Sequence, residues 1–389
     1  MTACDFLQDD LTAFEFFAGG GLAGLGLEGF RVTFANDIDR AKATSWRANH
    51  AGPDPMRRDQ TNGIHLGDVR DLTAEDLPGC PDLVWASSPC QDVSLAGARA
   101  GLDAQRSGAF WGFWQLMQAL DRQGRGPRAI VIENVVGLLT SGQGRDFPAL
   151  CSALVEAGYR VGALEMDAAL WLPQSRPRLF IVALRDAEAA TRSGPAGPFH
   201  TRRLIAAHGR LPQAVQARWE WWQVAPPSVR NLDVSALLEP DDAVQWLGMD
   251  DVEHLLDLLA PLHRDRLERA RQSGERRVAT GFRRVRTEGG LKVQRLELRF
   301  DGLAGCLRTP SGGSSRQYVL VGDQGQVRAR RLTGREAARL MGLADSYLLP
   351  ASEMAALRLI GDAVAVPVVK ALTDALLRPA LQKSRQFAA

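Results

Sequence analysis

Cys90 stands directly behind Pro89 in the stretch SSPCQDVSLAG, at the mouth of the apolar run Asp82-Leu83-Val84-Trp85-Ala86. A cysteine that serves packing belongs inside such a run, whereas one at its end among small polar residues is placed to react. A free thiol titrates at about 8.5 and is only a few per cent thiolate at neutral pH, yet it is strongly nucleophilic. Cys90 therefore needs little activation to attack an electrophilic carbon. A second apolar run, Ala129-Ile130-Val131-Ile132, ends in Glu133-Asn134-Val135. A carboxylate there is costly to bury unpaired, and with a raised pKa it can donate a proton or hydrogen bond to a ring nitrogen. Gln174-Ser175-Arg176-Pro177-Arg178 opens a third run. It puts two alternate arginines on one face of an extended segment, to pair with an acid or to hold a ligand.

A glycine turn, Phe16-Phe17-Ala18-Gly19-Gly20-Gly21-Leu22, follows the first β-rich run and opens a helical one. Glycines there let a cofactor approach the backbone. Asp37 comes at the end of the next run, where a carboxylate can accept hydrogen bonds from ribose hydroxyls. The pair indicates a nucleoside-containing cofactor and leaves open whether it is a dinucleotide or S-adenosylmethionine. Gly67-Asp68-Val69 is a short polar turn that on its own needs no function.

The elements that must position these residues alternate between short β-rich runs and helical stretches. Strands are expected at Thr12–Phe17, Arg31–Asn36, Asp82–Ala86, Arg128–Glu133, Arg160–Met166 and Arg178–Leu184, with helices at Asp39–Asn49, Gly108–Arg122 and Phe147–Ala157. Such alternation predicts a doubly wound α/β domain over residues 1–185, whose ligands lie at the carboxyl ends of the strands. The alternation stops after Arg185. Residues 186–328 carry Gly/Pro-rich pieces and the aromatic knot Trp219-Glu220-Trp221-Trp222, and read as a smaller inserted domain. Residues 329–389 become helical again, and the apolar face of Asp362–Leu377 predicts a helix that completes the first domain.

The 389 residues, 45% apolar and 24% charged, suit a globular protein with a sizeable core. No run approaches about 18 apolar residues, so no membrane span is expected. The acidic start MTACDFLQDD is no export signal, and a cytoplasmic location is expected. Cys4, Cys80, Cys90, Cys151 and Cys306 show no C-x-x-C spacing, which argues against a zinc site or a disulfide framework and predicts free thiols. The net charge of +2 excludes no partner. Residues 263–299, however, hold twelve Lys/Arg against five Asp/Glu, a concentration that suits a surface following a phosphate backbone.

Taken in order, FAGGG, Asp37, PCQ, ENV, QSRPR, the segment Arg331–Gly342 and Gly361-Asp362-Ala363-Val364 resemble the motifs of the DNA (cytosine-5)-methyltransferases. The resemblance covers residues 14–185 and 303–377. It implies an α/β fold with a doubly wound mixed sheet of the S-adenosylmethionine-dependent methyltransferase type, and it puts the inserted domain where this family keeps target recognition. By resemblance, Cys90 adds to C6 of a flipped cytosine, Glu133 holds the base, and Arg176 and Arg178 fix the base and the Cys90 loop. S-adenosyl-L-methionine, leaving as S-adenosyl-L-homocysteine, would be bound by Phe17, Ala18, Gly19, Gly20, Gly21, Leu22, Asp37, Ile38, Asp68, Val69, Pro89, Asp362, Ala363 and Val364. Gln91, Ser94, Arg106, Arg283, Arg284 and Arg286 are expected near DNA, with Gln91 and Asn134 bracing loops. No metal is expected. Double-stranded DNA is the implied substrate of a monomer, with a cognate restriction endonuclease as a partner and tRNA as the alternative polymer. Three positions depart from the family pattern: Leu22 follows Gly21 where another glycine is usual, Ser88 replaces an aromatic, and Asp362 replaces an asparagine.

Overall fold

The computed structural model describes residues 11–50, 63–88, 108–230, 232–309 and 316–382. By compactness the chain forms two units. The first comprises 1–167, 177–226 and 366–389, and the second 168–176 and 227–365.

The first unit is built on a seven-stranded sheet. Its strands are β1 (Leu11–Phe16), β2 (Phe30–Asp37), β3 (Ile64–Leu66), β4 (Leu83–Ala86), β5 (Ala129–Val135), β6 (Arg160–Asp167) and β7 (Pro177–Leu184), in the order β3-β2-β1-β4-β5-β7-β6. The pairs from β3 through β5 are parallel, and β7 runs antiparallel to both β5 and β6. This is the doubly wound mixed sheet expected. β1, β4 and β5 are buried almost throughout, which is why they read as continuous apolar runs rather than alternating ones. Strand order reverses between β1 and β4, and ligands of open α/β sheets bind in the crevice at such a switch point. The glycine turn leaves the end of β1 at this crevice, and β4 ends beside it at Ala86.

Helices cover the sheet. Helix α1 (Leu22–Gly26) follows the glycine turn, and α2 (Arg40–His50) follows β2. Helix α3 (Ala109–Arg122) buries Phe110, Phe113, Trp114, Met117 and Leu120 along one face, the spacing of an amphipathic helix. These side chains share a core with Phe14, Phe16 and Phe34.

The second unit contains a small antiparallel sheet. After the short strands β8 (Thr191–Arg192) and β9 (Trp221–Trp222) of the first unit come β10 (Arg277–Glu288), β11 (Leu291–Arg299), β12 (Tyr318–Asp323) and β13 (Gln326–Arg331), ordered β11-β10-β12-β13. Its core gathers Val252, Leu255 and Leu267 against Leu296, Leu298 and Leu320.

The joins between units differ from those expected at 185/186 and 328/329. Residues 186–226 stay with the first unit because the aromatic knot packs on β6. Glu220 N–H donates to Val161 O at 2.8 Å, and Trp222 Nε1 donates to Val182 O at 3.1 Å. A join at 328/329 would cut β13. The helix expected over Asp362–Leu377 is also broken: one helix, Glu353–Asp362, ends there, and another starts at Val366. Pro367 has no N–H to give and its ring clashes with the carbonyl four residues back. Cys151 and Cys306 are free thiols as expected, whereas Cys80 is disulfide-bonded.

Gly162 on β6 shows how closely the knot approaches. A Cβ there would lie 2.0 Å from Glu220 O and 2.5 Å from Trp222 Nε1. Gly162→Ala is therefore expected to destabilise the protein by about 2–3 kcal/mol through overpacking, which thermal unfolding would register as a lower melting temperature.

Candidate active site

At the end of β1 the backbone turns sharply. Phe17 has φ +55°, Gly19 +58° and Gly21 +79°. A bulky residue in the left-handed region costs of order 1–3 kcal/mol and persists where its surroundings enforce it. Gly21 also has no room for a side chain, since a Cβ would lie 2.2 Å from the His50 ring. That ring stacks on Trp46 and sits 3.0 Å from Gly21 O through Nε2 and 3.0 Å from Trp46 O through Nδ1. Burial lowers the His50 pKa, which favours the neutral ring, so one nitrogen at a time donates to these carbonyls.

Asp37 closes the other side of the turn. Its Oδ2 accepts from Gly19 N–H and its Oδ1 from Asp39 N–H, both at 2.8 Å. Ile38 beside it is 68% exposed. Asp68 accepts from the N–H of Arg70 and pairs with its guanidinium, and these bonds lower its pKa. Ala18, Gly20, Leu22 and Val69 are buried, so what they supply is backbone and packing.

Glu15 was not anticipated, although an acid inside the apolar string FEFF is a visible signal. It is 1% exposed, and its Oε1 accepts from Gly24 N–H in α1 at 3.2 Å. Burial raises its pKa to about 7, the Gly24 N–H opposing and the charge of Asp37 adding to the shift.

Glu133 and Asn134 end β5. Because β7 is antiparallel, Arg178 lies opposite Val135, on the same face as Glu133, and its Nε is 3.1 Å from Glu133 Oε1. Both side chains are largely buried. Asn134 turns the other way: its Nδ2 donates to Ser88 O at 3.1 Å and to Ser88 Oγ at 3.2 Å. The expected brace is thus a clamp on the last residue before Pro89. Pro89, Cys90, Gln91, Ser94 and Arg106 lie outside the described residues.

Arg176 belongs to the second unit and serves a different purpose. Its guanidinium donates to Leu307 O at 2.8 Å, Gly361 O at 2.9 Å and Ala363 O at 2.6 Å, satisfying carbonyls where the helix Glu353–Asp362 ends. Asp362 accepts from Thr309 Oγ1, and Val364 is buried. On the β10–β11 ribbon, Arg284 and Arg286 pair with Glu297, and Arg283 lies over the Tyr318 ring. The positive charge concentrated in the sequence is thus largely spent within the fold. Among the described residues no group of three metal-ligating side chains occurs, and no helix is long and apolar enough to cross a membrane.

A mixed sheet with its penultimate strand reversed, a strained glycine turn after β1 and an acid at the end of β2 define a methyltransferase of the S-adenosylmethionine-dependent class. The chain belongs to the C-5 cytosine-specific DNA methylases, whose family model matches residues 11–378. It is 25% identical over 376 residues to the Type II methyltransferase M1.ScrFI of Lactococcus lactis subsp. cremoris, covering 96% of this chain and 79% of that protein. It is likewise 25% identical over 372 residues to M.NlaX of Neisseria lactamica, covering 92% and 94%. Among solved structures, the S. pombe Dnmt2 methyltransferase shares the fold with a TM-score of 0.57 at 18% identity, covering 95% of this chain and 99% of that one.

Two outcomes follow from these contacts. A carboxyl whose folded pKa is raised from 4.5 to about 7 keeps a proton that the unfolded chain has already released, so stability falls as pH rises across that window, by up to about 3 kcal/mol. Glu15→Gln is expected to flatten this slope in denaturant unfolding measured at pH 5 and pH 8. Asn134→Ala releases Ser88 and is expected to lower kcat by about 10–100-fold through misplacement of the segment that follows, with KM for the methyl donor unchanged in steady-state assays.

Proposed function

We propose that the protein methylates C5 of a cytosine in duplex DNA through a covalent adduct between Cys90 and C6 of the ring. The buried Glu133–Arg178 pair, 3.1 Å apart, with Glu133 on the strand next to β4 and Arg178 on the strand beyond it, carries this reading. The target atoms cannot be reached inside a stacked duplex, so the cytosine is flipped out at a cost of about a few kcal/mol. Glu133, kept in place by Arg178, holds the base at N3 and N4. As the Cys90 sulfur bonds to C6, electron density moves to C5 and makes it nucleophilic. S-adenosylmethionine, when bound, supplies the electrophilic methyl group. Loss of the C5 proton and expulsion of the Cys90 thiolate restore the aromatic ring.

The glycine turn suits that cofactor. Nothing lies within 4 Å of where a Gly19 side chain would be, and each Asp37 oxygen, engaged by one backbone N–H, retains a lone pair for a ribose hydroxyl. Exposed Ile38 offers an apolar face beside it. Asp68 belongs to the proposed cofactor set, as by resemblance do Asp362, Ala363 and Val364, where Arg176 donates to Gly361 O and Ala363 O. The names of the Type II relatives support a place in restriction and modification; a cognate endonuclease encoded separately, a monomeric state and a cytoplasmic location are parts of the same proposal. The β10–β13 sheet of the second unit is the proposed target recognition region.

Duplex DNA carrying 5-fluorocytosine at the target is expected to trap a covalent complex with the protein, because fluorine cannot leave as the C5 proton does. Denaturing electrophoresis checks this, and a trapped complex with Cys90→Ala would dismiss the nucleophile. Glu133→Gln is expected to lower kcat by about 10²–10⁴-fold. Transfer of labelled methyl groups to tRNA but not to duplex DNA would replace the substrate.

A further inference from the structure

The β10–β11 ribbon reaches beyond the sheet that supports it. Pairing with β12 ends at Gly281, whereas β10 and β11 stay paired to Glu288 and Leu291. Gly289 and Gly290, both at positive φ (+56° and +84°), close the tip, as a two-residue hairpin turn of matching twist requires. Side chains of such a ribbon alternate between two faces, and here the faces differ in kind. One carries Arg284, Arg286, Glu288, Arg295 and Glu297, joined in ion pairs. The other carries Val285, Thr287, Lys292 and Gln294, all exposed, Val285 at 60%, and no hydrogen bond or ion pair engages their side chains.

We propose that this second face reads the bases flanking the target cytosine from the major groove of duplex DNA, while the arginine face, whose guanidinium groups are held by Glu288 and Glu297, is its support. The proposal rests on the reading of the protein as a duplex DNA methyltransferase. A major groove about 12 Å wide admits a two-stranded ribbon, and the four side chains match what base edges offer there. Gln294 pairs with adenine N6 and N7, Lys292 donates to guanine O6 and N7, and Val285 and the Thr287 methyl meet a thymine methyl. The ion-paired face has no comparable freedom, since each arginine would have to leave a carboxylate first. Lys292 and, nearer the sheet, Arg283 over the Tyr318 ring give this face positive charge, of the sign that DNA attracts.

Bisulfite sequencing of DNA from cells expressing the wild-type protein defines the methylated site and its flanking preference. Lys292→Ala and Gln294→Ala are each expected to relax that preference at one flanking position by roughly 10-fold or more, with unchanged thermal unfolding, because both residues are exposed. Arg284→Ala and Arg286→Ala are expected to leave the preference where it was. If a reading-face variant loses turnover altogether, affinities for short duplexes differing at single flanking pairs measure the same discrimination. Unaltered preference in both Lys292→Ala and Gln294→Ala, or a shift confined to the arginine variants, would overturn the proposal. Absence of methylated cytosine with the wild-type protein would instead remove the reading on which it rests.

Discussion

The reversed strand β7 is the constraint on which the site depends. Glu133 ends a strand buried on both faces, and an unpaired carboxylate there would cost several kcal/mol. Its partner comes from the first turn of chain in β7, at Arg178. Only an antiparallel strand starts at the edge where β5 ends. Had β7 run parallel over the same stretch of β5, Arg178 would lie opposite the start of β5 near Ile130, at least about 10 Å along the strand from Glu133, and the carboxylate would lose its counterion. Pairing with Arg178 also fixes where the carboxyl points, which a base-holding group needs more than it needs charge.

The same edge is tied laterally. Ser87 N–H donates to Phe16 O at 3.3 Å, linking the exits of β4 and β1, and Asn134 links the exits of β5 and β4 through Ser88. Three neighbouring strands thus leave the sheet in a fixed relation before any loop begins. Ser88, which stands where the family pattern has an aromatic, is buried and bonded to Asn134 through both its carbonyl and its hydroxyl. The departure exchanges apolar packing for a hydrogen-bonded clamp.

Much of this was legible in the sequence because strand ends are where apolar runs stop. Phe17, Asp37, Glu133 and Arg178 were all found as polar or glycine-flanked residues bounding such runs, and the alternation of elements gave the sheet. Strand direction was not legible in this way, since an apolar run reads the same in either sense. Nor was the end of the helix at Asp362, where a continuous apolar pattern concealed the effect of Pro367. The domain joins escaped for two reasons: the aromatic knot is placed by β6, a distant partner that composition does not reveal, and the join at 328/329 falls inside the tight hairpin of Tyr318–Asp323 and β13.

Arg176 and Arg178 illustrate how far a motif can be read and where it stops. They are two residues apart, separated by Pro177, and appear as equals in QSRPR. Spacing indicates that both project from one extended segment but not what each meets. Arg178 lies beside a carboxylate and keeps that charge oriented. Arg176, 2% exposed, donates to the neutral carbonyls of Leu307, Gly361 and Ala363, and a guanidinium with five donors in a planar fork is suited to hold several carbonyls at once. A lysine could replace neither geometry. The ribbon arginines make the complementary point, because Arg284, Arg286 and Arg295, counted in sequence as available, are engaged by Glu288 and Glu297 across the strands. What a cation does is set by the acceptor the fold brings to it, and acceptors on other strands are invisible in a local window.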